Sequence, residues 1–334
     1  MSLIAGSYER FIWGFKLKHL KDSQSLDLIP LFSFPSHLST IKCADVCGSA
    51  AVSGGSDDTI KIYDLSTCSE IGSLHHSSTI NSLAFVTPPP LSFPRNLISA
   101  ADDGTVSIYD ADPFVHLKTL KVHRKGINSI SIHPSGRLGL SVGRDECLAM
   151  INLVRGRRSF YCRLGKEASI VKFSETGETF YMVMDKKVSV HESEDARIAM
   201  EFDNAKQVLC ATPGKGGILF TGGEDQNITA WDTKSGKVAY SIIKAHSARI
   251  KGIVVLSHID NSSADVDPYL VASASSDGNI RVWDIRNASK EESGPLAEAN
   301  TKSRLTCLAG SSIKSVQRPQ VGNSPPNERR EEAE

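Results

Sequence analysis

The sequence predicts an all-β fold, a propeller in which seven four-stranded blades surround a common axis. The first observation is a repeat, because the same run of residues returns every roughly 40–50 positions, the period of propeller blades. The second is that each run is β-rich and bounded by polar residues, as in TIKIYD, TVSIYD and NIRVWD. Six copies are marked by pairs of polar residues seven positions apart: Asp57 and Asp64, Asp103 and Asp110, Asp145 and Asn152, Asp185 and Glu192, Asp225 and Asp232, and Asp277 and Asp284.

The alternation within each copy predicts a strand. In TVSIYD, Val106 and Ile108 project to one side of the strand, while Thr105 and Ser107 project to the other. A single four-stranded blade cannot bury both of its faces, so neighbouring blades must stack around an axis. Two copies end in the dipeptide Trp-Asp. With this dipeptide at this period, the chain resembles the WD-repeat superfamily over nearly its whole length.

Both chain ends are needed to complete the ring. The N-terminus aligns with the first full copy if Gly6 matches Gly55. In this alignment the N-terminal segment forms strands b and c of a further blade, and residues 28–34 form its strand d. Its strand a is missing there, and residues 304–309 (RLTCLA) form a strand without a blade. Pairing this C-terminal strand a with the N-terminal strands b–d closes the ring and removes two exposed edges. We therefore predict seven blades over residues 1–313 and a disordered tail over 314–334.

Three sets of polar residues recur at blade spacing. A histidine, a serine and an aspartate of this kind either form a hydrolase triad or a polar network that stabilises the fold. The recurrence favours the structural network, because three identical active sites in one chain are implausible. The predicted sets are His76, Ser99 and Asp103; His123, Ser141 and Asp145; and His246, Ser273 and Asp277 with Trp283.

One basic cluster surrounds the predicted strand d that follows CLAMIN. It contains Arg155, Arg157, Arg158 and Arg163, together with Arg144 and Lys166. Positive side chains on an outer strand usually protect a sheet edge from pairing with another chain. The alternative is that these arginines bind an RNA backbone or an acidic partner.

Composition excludes several classes of function. The chain has 38 Lys+Arg and 38 Asp+Glu, so any nucleic-acid contact has to be local. Its seven cysteines are scattered and lack metal-site spacing, as expected of reduced thiols in the cytosol or nucleus. Residues 213–217 (PGKGG) lack the spacing of a phosphate loop. We expect a soluble intracellular protein with no membrane span, cofactor, metal, small-molecule substrate or enzyme activity.

The N-terminus indicates a particular WD-repeat family. The opening IAGSYER with WGF, residues 4–15, and the segment GRDECLAMINLVRGR, residues 143–157, resemble the p21-activated-kinase-interacting protein family, whose fungal relative is a large-subunit assembly factor. The resemblance runs from residue 2 to about 310. It implies a non-enzymatic nucleolar scaffold in 60S ribosomal subunit biogenesis, with pre-60S assembly factors and rRNA as partners. It also implies, in animals, an inhibitory contact with p21-activated kinase.

A second functional hypothesis rests on one arginine. The stretch LVASASSDGNIRVWDIR, residues 270–286, fits the WD-x-R pattern associated with substrate receptors of cullin-RING ubiquitin ligases. In that reading, Arg286 contacts the ligase adaptor. The alternative is that Arg286 pairs with a neighbouring aspartate and has no such partner.

Overall fold

The structure, a computed structural model, describes residues 1–19, 26–87, 93–256, 270–285 and 294–311. Within these ranges the chain forms 28 strands in seven four-stranded sheets, so the predicted seven-bladed propeller is confirmed. A single turn of 3₁₀ helix, Lys215–Gly217, lies between the first two strands of the sixth blade. No helix in the described ranges is long and apolar enough to cross a membrane.

The strands of each blade are antiparallel neighbours in chain order, lettered a to d from the axis outward, except that the first blade takes its strand a from the C-terminus. Blade 1 contains β1 (Ser2–Ser7), β2 (Ile12–His19), β3 (Leu26–Phe34) and β28 (Leu305–Ser311). Blade 2 contains β4 (Ile41–Cys47), β5 (Ala50–Gly55), β6 (Thr59–Asp64) and β7 (Ser69–His75). Blade 3 contains β8 (Ile80–Val86), β9 (Asn96–Ala101), β10 (Thr105–Ala111) and β11 (Phe114–Lys121).

The remaining four blades follow the same order. Blade 4 contains β12 (Ile127–Ile132), β13 (Leu138–Gly143), β14 (Cys147–Asn152) and β15 (Arg157–Arg163). Blade 5 contains β16 (Ile170–Phe173), β17 (Thr179–Met184), β18 (Lys187–Glu192) and β19 (Ile198–Asp203). Blade 6 contains β20 (Val208–Pro213), β21 (Ile218–Gly223), β22 (Ile228–Asp232) and β23 (Lys237–Ile242). Blade 7 contains β24 (Ile250–Leu256), β25 (Leu270–Ser275), β26 (Asn279–Asp284) and β27 (Ala297–Asn300).

The predicted ring closure is confirmed. Strand β28 pairs antiparallel with β1, which places Leu3 opposite Gly310 and Ala5 opposite Leu308. Strand d of blade 1 begins at Leu26, two residues earlier than predicted, because the β2–β3 ladder continues to this point and the Leu26 side chain packs into the core. The predicted disordered tail, 314–334, lies outside the described residues.

The core is divided among the interfaces between blades. In the described part of the chain, the buried apolar side chains form seven clusters, one for each pair of neighbouring blades. Between blades 1 and 7, for example, Leu3, Ile280 and Leu305 are all buried. Burial of each large aliphatic side chain contributes about 1.5–3 kcal/mol. A continuous ring of such interfaces holds the loops at the two ends, and we call the end that carries the b–c turns and the d–a loops the upper end.

Candidate functional site

The polar residues of blade 4 form a connected network at the upper end. Asp145 lies in the turn between β13 and β14, and its Oδ1 is 2.9 Å from His123 Nδ1. On the other side of the imidazole, His123 Nε2 is 2.9 Å from Ser141 Oγ on strand b. The second carboxylate oxygen of Asp145 accepts hydrogen bonds from the Arg124 N–H at 2.9 Å and from the Tyr161 hydroxyl at 2.8 Å. Two segments of chain, the loop at 123–124 and strand d at Tyr161, are thereby joined directly to one carboxylate, and strand b is joined to it through His123.

The charges in this network follow from its surroundings. Burial is the largest influence on His123, and it lowers the pKa of the imidazole despite the neighbouring Asp145. Burial also acts to raise the pKa of Asp145. The hydrogen bonds from Arg124, His123 and Tyr161 outweigh this effect and keep the pKa of the carboxyl below its usual value. At neutral pH the network therefore joins a neutral histidine to an ionised aspartate.

Blade 7 repeats the arrangement with an additional indole. Trp283 Nε1 donates to Ser273 Oγ at 2.9 Å, and Ser273 Oγ lies 2.8 Å from His246 Nε2. His246 Nδ1 is 3.3 Å from Asp277 Oδ2, which also accepts from the Ser247 N–H at 3.0 Å. Burial opposes ionisation of Asp277, but the hydrogen bonds to His246 and to turn amides outweigh it and hold the pKa of Asp277 below its usual range.

In blade 3 the three predicted residues do not form one network. His76 Nε2 lies 3.3 Å from Ser99 Oγ, as expected, but only 3.1 Å from Ser107 Oγ on the adjacent strand. Asp103 instead accepts hydrogen bonds from the Thr105 amide and hydroxyl and from Ser77. Among the described residues no hydrogen bond joins His76 to Asp103, and His76 Nδ1 is buried without a partner. Blade 3 differs from blade 4 in that Ser107 on strand c provides a second hydroxyl partner for His76.

Blade 2 contains a complete network that the sequence analysis missed. His37 Nδ1 lies 2.9 Å from Asp57 Oδ1, and His37 Nε2 lies 2.7 Å from Ser53 Oγ. Ser53 Oγ is in turn 3.0 Å from the Tyr63 hydroxyl. The sequence did contain an indication, because Ser53 precedes Asp57 by the same number of residues as Ser141 precedes Asp145. The histidine that completes the network lies 16 residues before Ser53, closer than the 18 residues that separate His123 from Ser141.

The burial of these networks argues against a hydrolase active site, because a substrate cannot reach their side chains. The His123 and Ser141 atoms have the spacing of a catalytic pair, but Ser141 is 0% exposed and His123 is 1% exposed. A nucleophilic hydroxyl must reach a substrate carbonyl, and neither side chain can do so inside the blade. The same holds for Ser273, which is also fully buried. These networks are able to stabilise loops at the upper end, and their geometry provides no catalytic site.

The predicted arginines are spread along blade 4 instead of converging on one point. At the upper end, Arg144 Nη2 lies 2.8 Å from Asp102 Oδ1 and Arg163 Nη2 lies 3.2 Å from Glu146 Oε2. Arg158 donates to the Val122 carbonyl at 2.6 Å and stacks over the Tyr161 ring. These three are therefore already engaged with this chain.

The other two arginines lie at the opposite end of the blade. Arg155 is in the c–d turn and Arg157 begins β15, and both are exposed. Within the described residues neither guanidinium has an ion pair. Exposed apolar side chains flank them, with Val154 74% and Phe160 48% exposed. Arg286, the residue of the ligase hypothesis, lies outside the described residues.

The described residues contain no group of three or more His, Cys, Asp or Glu side chains placed to hold a metal ion. All seven cysteines are free thiols, and burial raises the pKa of Cys210 to about 12 and that of Cys307 to about 11. Such thiols remain protonated at neutral pH, which makes them poor nucleophiles and poor metal ligands.

Comparisons with known proteins agree with the architecture. The family described as WD domain, G-beta repeat matches residues 28–64, 68–110, 114–151 and 238–284. The chain is 34% identical to p21-activated protein kinase-interacting protein 1 of Homo sapiens, over 92% of this chain and 76% of the relative. It is 28% identical to Shk1 kinase-binding protein 15 of Schizosaccharomyces pombe, over 85% and 77% of the two chains. It is 27% identical to Protein MAK11 of Saccharomyces cerevisiae, over 92% and 82%.

Proposed function

Because the chain belongs to the p21-activated-kinase-interacting protein family of WD-repeat proteins, we propose that it is a non-enzymatic scaffold in assembly of the large ribosomal subunit. Its site of action is the nucleus, and within it the nucleolus. Two observations support this proposal. The N-terminal sequence resembles a family that includes a fungal large-subunit assembly factor, and the similarity to Protein MAK11 extends over 92% of the chain.

The scaffold role is supported most directly by exposed residues in the lower part of blade 4, the part opposite the upper end. There, Arg155 and Arg157 are exposed beside exposed Val154 and Phe160, and neither has an ion pair with any residue that the structure describes. Unpaired guanidinium groups bind phosphate or carboxylate oxygens in bidentate fashion, and neighbouring apolar side chains add area that is buried only when a partner binds. This combination fits a pre-60S particle, which presents both rRNA and protein.

The proposal is tested by sedimentation. Cells that express the tagged wild-type chain, the double variant Arg155→Glu and Arg157→Glu, or the control Lys237→Glu are fractionated on sucrose gradients at moderate salt. Lys237 is a matched control because it begins strand d of blade 6, as Arg157 does in blade 4, and is also exposed. We expect the wild type and the control to migrate with pre-60S particles in an RNase-sensitive manner, and the double variant to shift to light fractions.

Wild-type protein confined to light fractions would contradict the assembly role. Depletion of the protein provides a second readout, since an assembly factor is needed for precursor rRNA processing. Unchanged precursor levels and unchanged subunit ratios after depletion would also reject the proposal. If the double variant migrated like the wild type, the assembly role would stand, but the lower part of blade 4 would be excluded as the contact surface.

Regulation of a kinase is a second candidate function, which is favoured by the names of two relatives. One is called a p21-activated protein kinase-interacting protein and another a Shk1 kinase-binding protein. The test is a kinase assay with purified p21-activated kinase and micromolar amounts of this chain. Inhibition that depends on the concentration of the chain is the expected result, and unchanged kinase activity would exclude direct inhibition.

The ligase hypothesis is independent of both. Its test is an adaptor pull-down with the wild-type chain and with Arg286→Ala. Recovery of the adaptor by the wild type and its loss in the variant is the expected result. Failure of the wild type to recover the adaptor, or equal recovery by both chains, would reject the hypothesis.

A further inference from the structure

A basic pocket lies at the upper mouth of the central channel, where blades 7, 1 and 2 meet. It has a volume of about 380 Å³. Two equivalent positions of each blade line it, namely the residue before strand a and the second residue of strand a. These are Arg249 and Lys251 in blade 7, Arg304 and Thr306 in blade 1, and Thr40 and Lys42 in blade 2. Four of the six side chains are cationic, and they converge only because the ring is closed.

The positive charge of this pocket is only partly compensated. Arg304 is held in place by Glu9, whose Oε1 is 3.3 Å from Arg304 Nε, and by stacking over the Tyr8 ring. In the described part of the chain, no carboxylate lies within ion-pair distance of Lys42, Arg249 or Lys251. Burial is the largest cause that lowers the pKa of Lys251, and the nearby positive charge of Arg249 lowers it further, whereas the negative charge of Glu224 acts to raise it. The cations therefore repel one another in the free protein.

In blades 1, 3 and 4, the side chain of the second residue of strand a makes a hydrogen bond to the next blade. Within the described residues, Lys42 and Lys251 occupy this position in blades 2 and 7 without making that bond. In blades 3 and 4 the second residue of strand a is an asparagine that reaches the next blade. Asn81 Nδ2 donates to the Ile127 carbonyl at 2.9 Å, and Asn128 Nδ2 donates to the Ala168 carbonyl at 2.9 Å. In blade 1, Thr306 Oγ1 donates to the Ile41 carbonyl at 2.7 Å. Among the described residues Lys42 and Lys251 make no such bond, so hydrogen bonds between blades do not explain them.

We propose that this pocket binds the phosphate of a phosphorylated serine or threonine in a partner protein. Three cations without a carboxylate match a dianion better than they match a single carboxylate, and charge-assisted hydrogen bonds to phosphate are strong. The Ser276 hydroxyl also lines the pocket and can donate to a phosphate oxygen. This binding site goes beyond the scaffold role proposed above and does not depend on it.

The surroundings favour a phosphorylated side chain over an RNA strand. An RNA backbone carries a charge at every nucleotide and needs a basic track that continues beyond one pocket. The b–c turns at the same upper end contain carboxylates in most blades, including Asp58 in blade 2, Asp103 in blade 3, Glu146 in blade 4 and Glu224 in blade 6. A polyanion lying across the upper end would meet all of these carboxylates, whereas a single phosphate in the pocket would approach only those near its lining, such as Glu224 near Lys251.

The experiment uses the full chain and three fluorescent probes. Two are peptide libraries of random sequence around a central phosphothreonine or an unmodified threonine, and the third is a single-stranded uridine 12-mer. Binding is compared for the wild type, the double variant Lys42→Gln and Lys251→Gln, the single variant Arg249→Gln, and the control Lys125→Gln. Lys125 is an exposed lysine in a d–a loop of the same upper end, and it has no ion pair among the described residues. Thermal unfolding checks that each variant is folded.

We expect the wild type and Lys125→Gln to retain the phosphorylated library at least tenfold better than the unmodified one. Free phosphoserine should compete with it. Both pocket variants should lose at least tenfold in this retention, and the exposed Arg249 gives a readout even if the double variant does not fold. Equal retention of the two libraries, or unchanged retention by Arg249→Gln, would overturn the proposal. Preferential binding of the 12-mer that is lost in the pocket variants would reassign the pocket to RNA.

Discussion

Glu9 and Arg304 are 295 residues apart in the chain, yet the Glu9 carboxylate accepts hydrogen bonds from both the backbone and the side chain of Arg304. The backbone bond is 2.9 Å long and the bond from Nε is 3.3 Å long. The pair lies where β28 enters blade 1 beside β1, and it marks the point at which the two chain ends close the ring. The Arg304 side chain is 63% exposed and that of Glu9 41%, whereas the neighbouring Leu305 is buried.

The first prediction compares these two contributions to closure. Leu305→Ala should lower the free energy of unfolding by about 2–5 kcal/mol, because it leaves a cavity between blades 1 and 7. Glu9→Ala should cost less than about 1 kcal/mol, since exposed ion pairs contribute little. Urea unfolding of the two variants and the wild type measures both values. A larger cost for Glu9→Ala than for Leu305→Ala would contradict the view that burial of β28 closes the ring.

The second prediction concerns the turn aspartates of blades 3 and 4. Asp145→Ala should cost about 1–3 kcal/mol, because it leaves His123 and Tyr161 without their shared acceptor inside the blade. Asp103→Ala should cost less, since its partners are Thr105 and the exposed Ser77 and do not include the histidine. Chemical denaturation of the two variants checks the order. Equal costs would mean that the histidine bond contributes nothing measurable.

The third prediction compares two histidines. His37→Leu should destabilise the chain by about 1–3 kcal/mol, because Ser53 and Asp57 then lose a buried partner. His76→Leu should cost less, since one nitrogen of His76 is already without a partner. Differential scanning calorimetry of both variants gives the comparison, with the wild type as the reference. If His76→Leu proved the more damaging substitution, the network in blade 3 would have to include a bond beyond those to Ser99 and Ser107.

The fourth prediction is that stability falls as the pH is lowered. Burial lowers the pKa of His37 and His123 from the ordinary value of 6.5, so the unfolded chain binds more protons than the folded chain below that pH. For Asp57 and Asp145, hydrogen bonds outweigh burial and lower the pKa from 3.8, which adds a further loss at more acidic pH. Both effects lower the free energy of unfolding as the pH falls. Their full stabilising contribution is present above pH 6.5 and is lost as the pH drops through the pKa values of the folded state.

Urea midpoints at pH 8, 7, 6 and 5 measure this decline. The variant His123→Gln is the control, because glutamine can hydrogen bond but does not titrate. Its midpoint should depend less on pH than that of the wild type between pH 7 and 5. A wild-type midpoint that is constant or rises over this interval would show that burial of the neutral histidines is not coupled to folding.

The order of strands was predictable because the information that specifies it is local and repeated. Val106 and Ile108 alternate with Thr105 and Ser107 within one strand, and Asp103 and Asp110 bracket it. Such a pattern requires no knowledge of distant contacts. Ring closure could also be inferred, because residues 304–309 formed a strand without a blade and the N-terminal blade lacked one.

The partners of individual polar side chains were less predictable. Spacing alone placed His76 with Asp103, but hydrogen bonds depend on atoms within about 3 Å, and Ser107 on the next strand is closer. In blade 2, spacing would have revealed Ser53 and Asp57, while His37 reaches them from a loop of different length.

By itself, the sequence determined the number of blades, the closure of the ring and the family, since these depend on periodicity and on short motifs that any part of the chain carries within itself. The tertiary structure alone decided which side chains meet. Lys42, Arg249 and Lys251 are unremarkable in the sequence and come together only when blade 7 is joined through β28 to blade 2. The physical reason is that charge acts over a few ångströms in space, and closure of the ring makes distant residues neighbours.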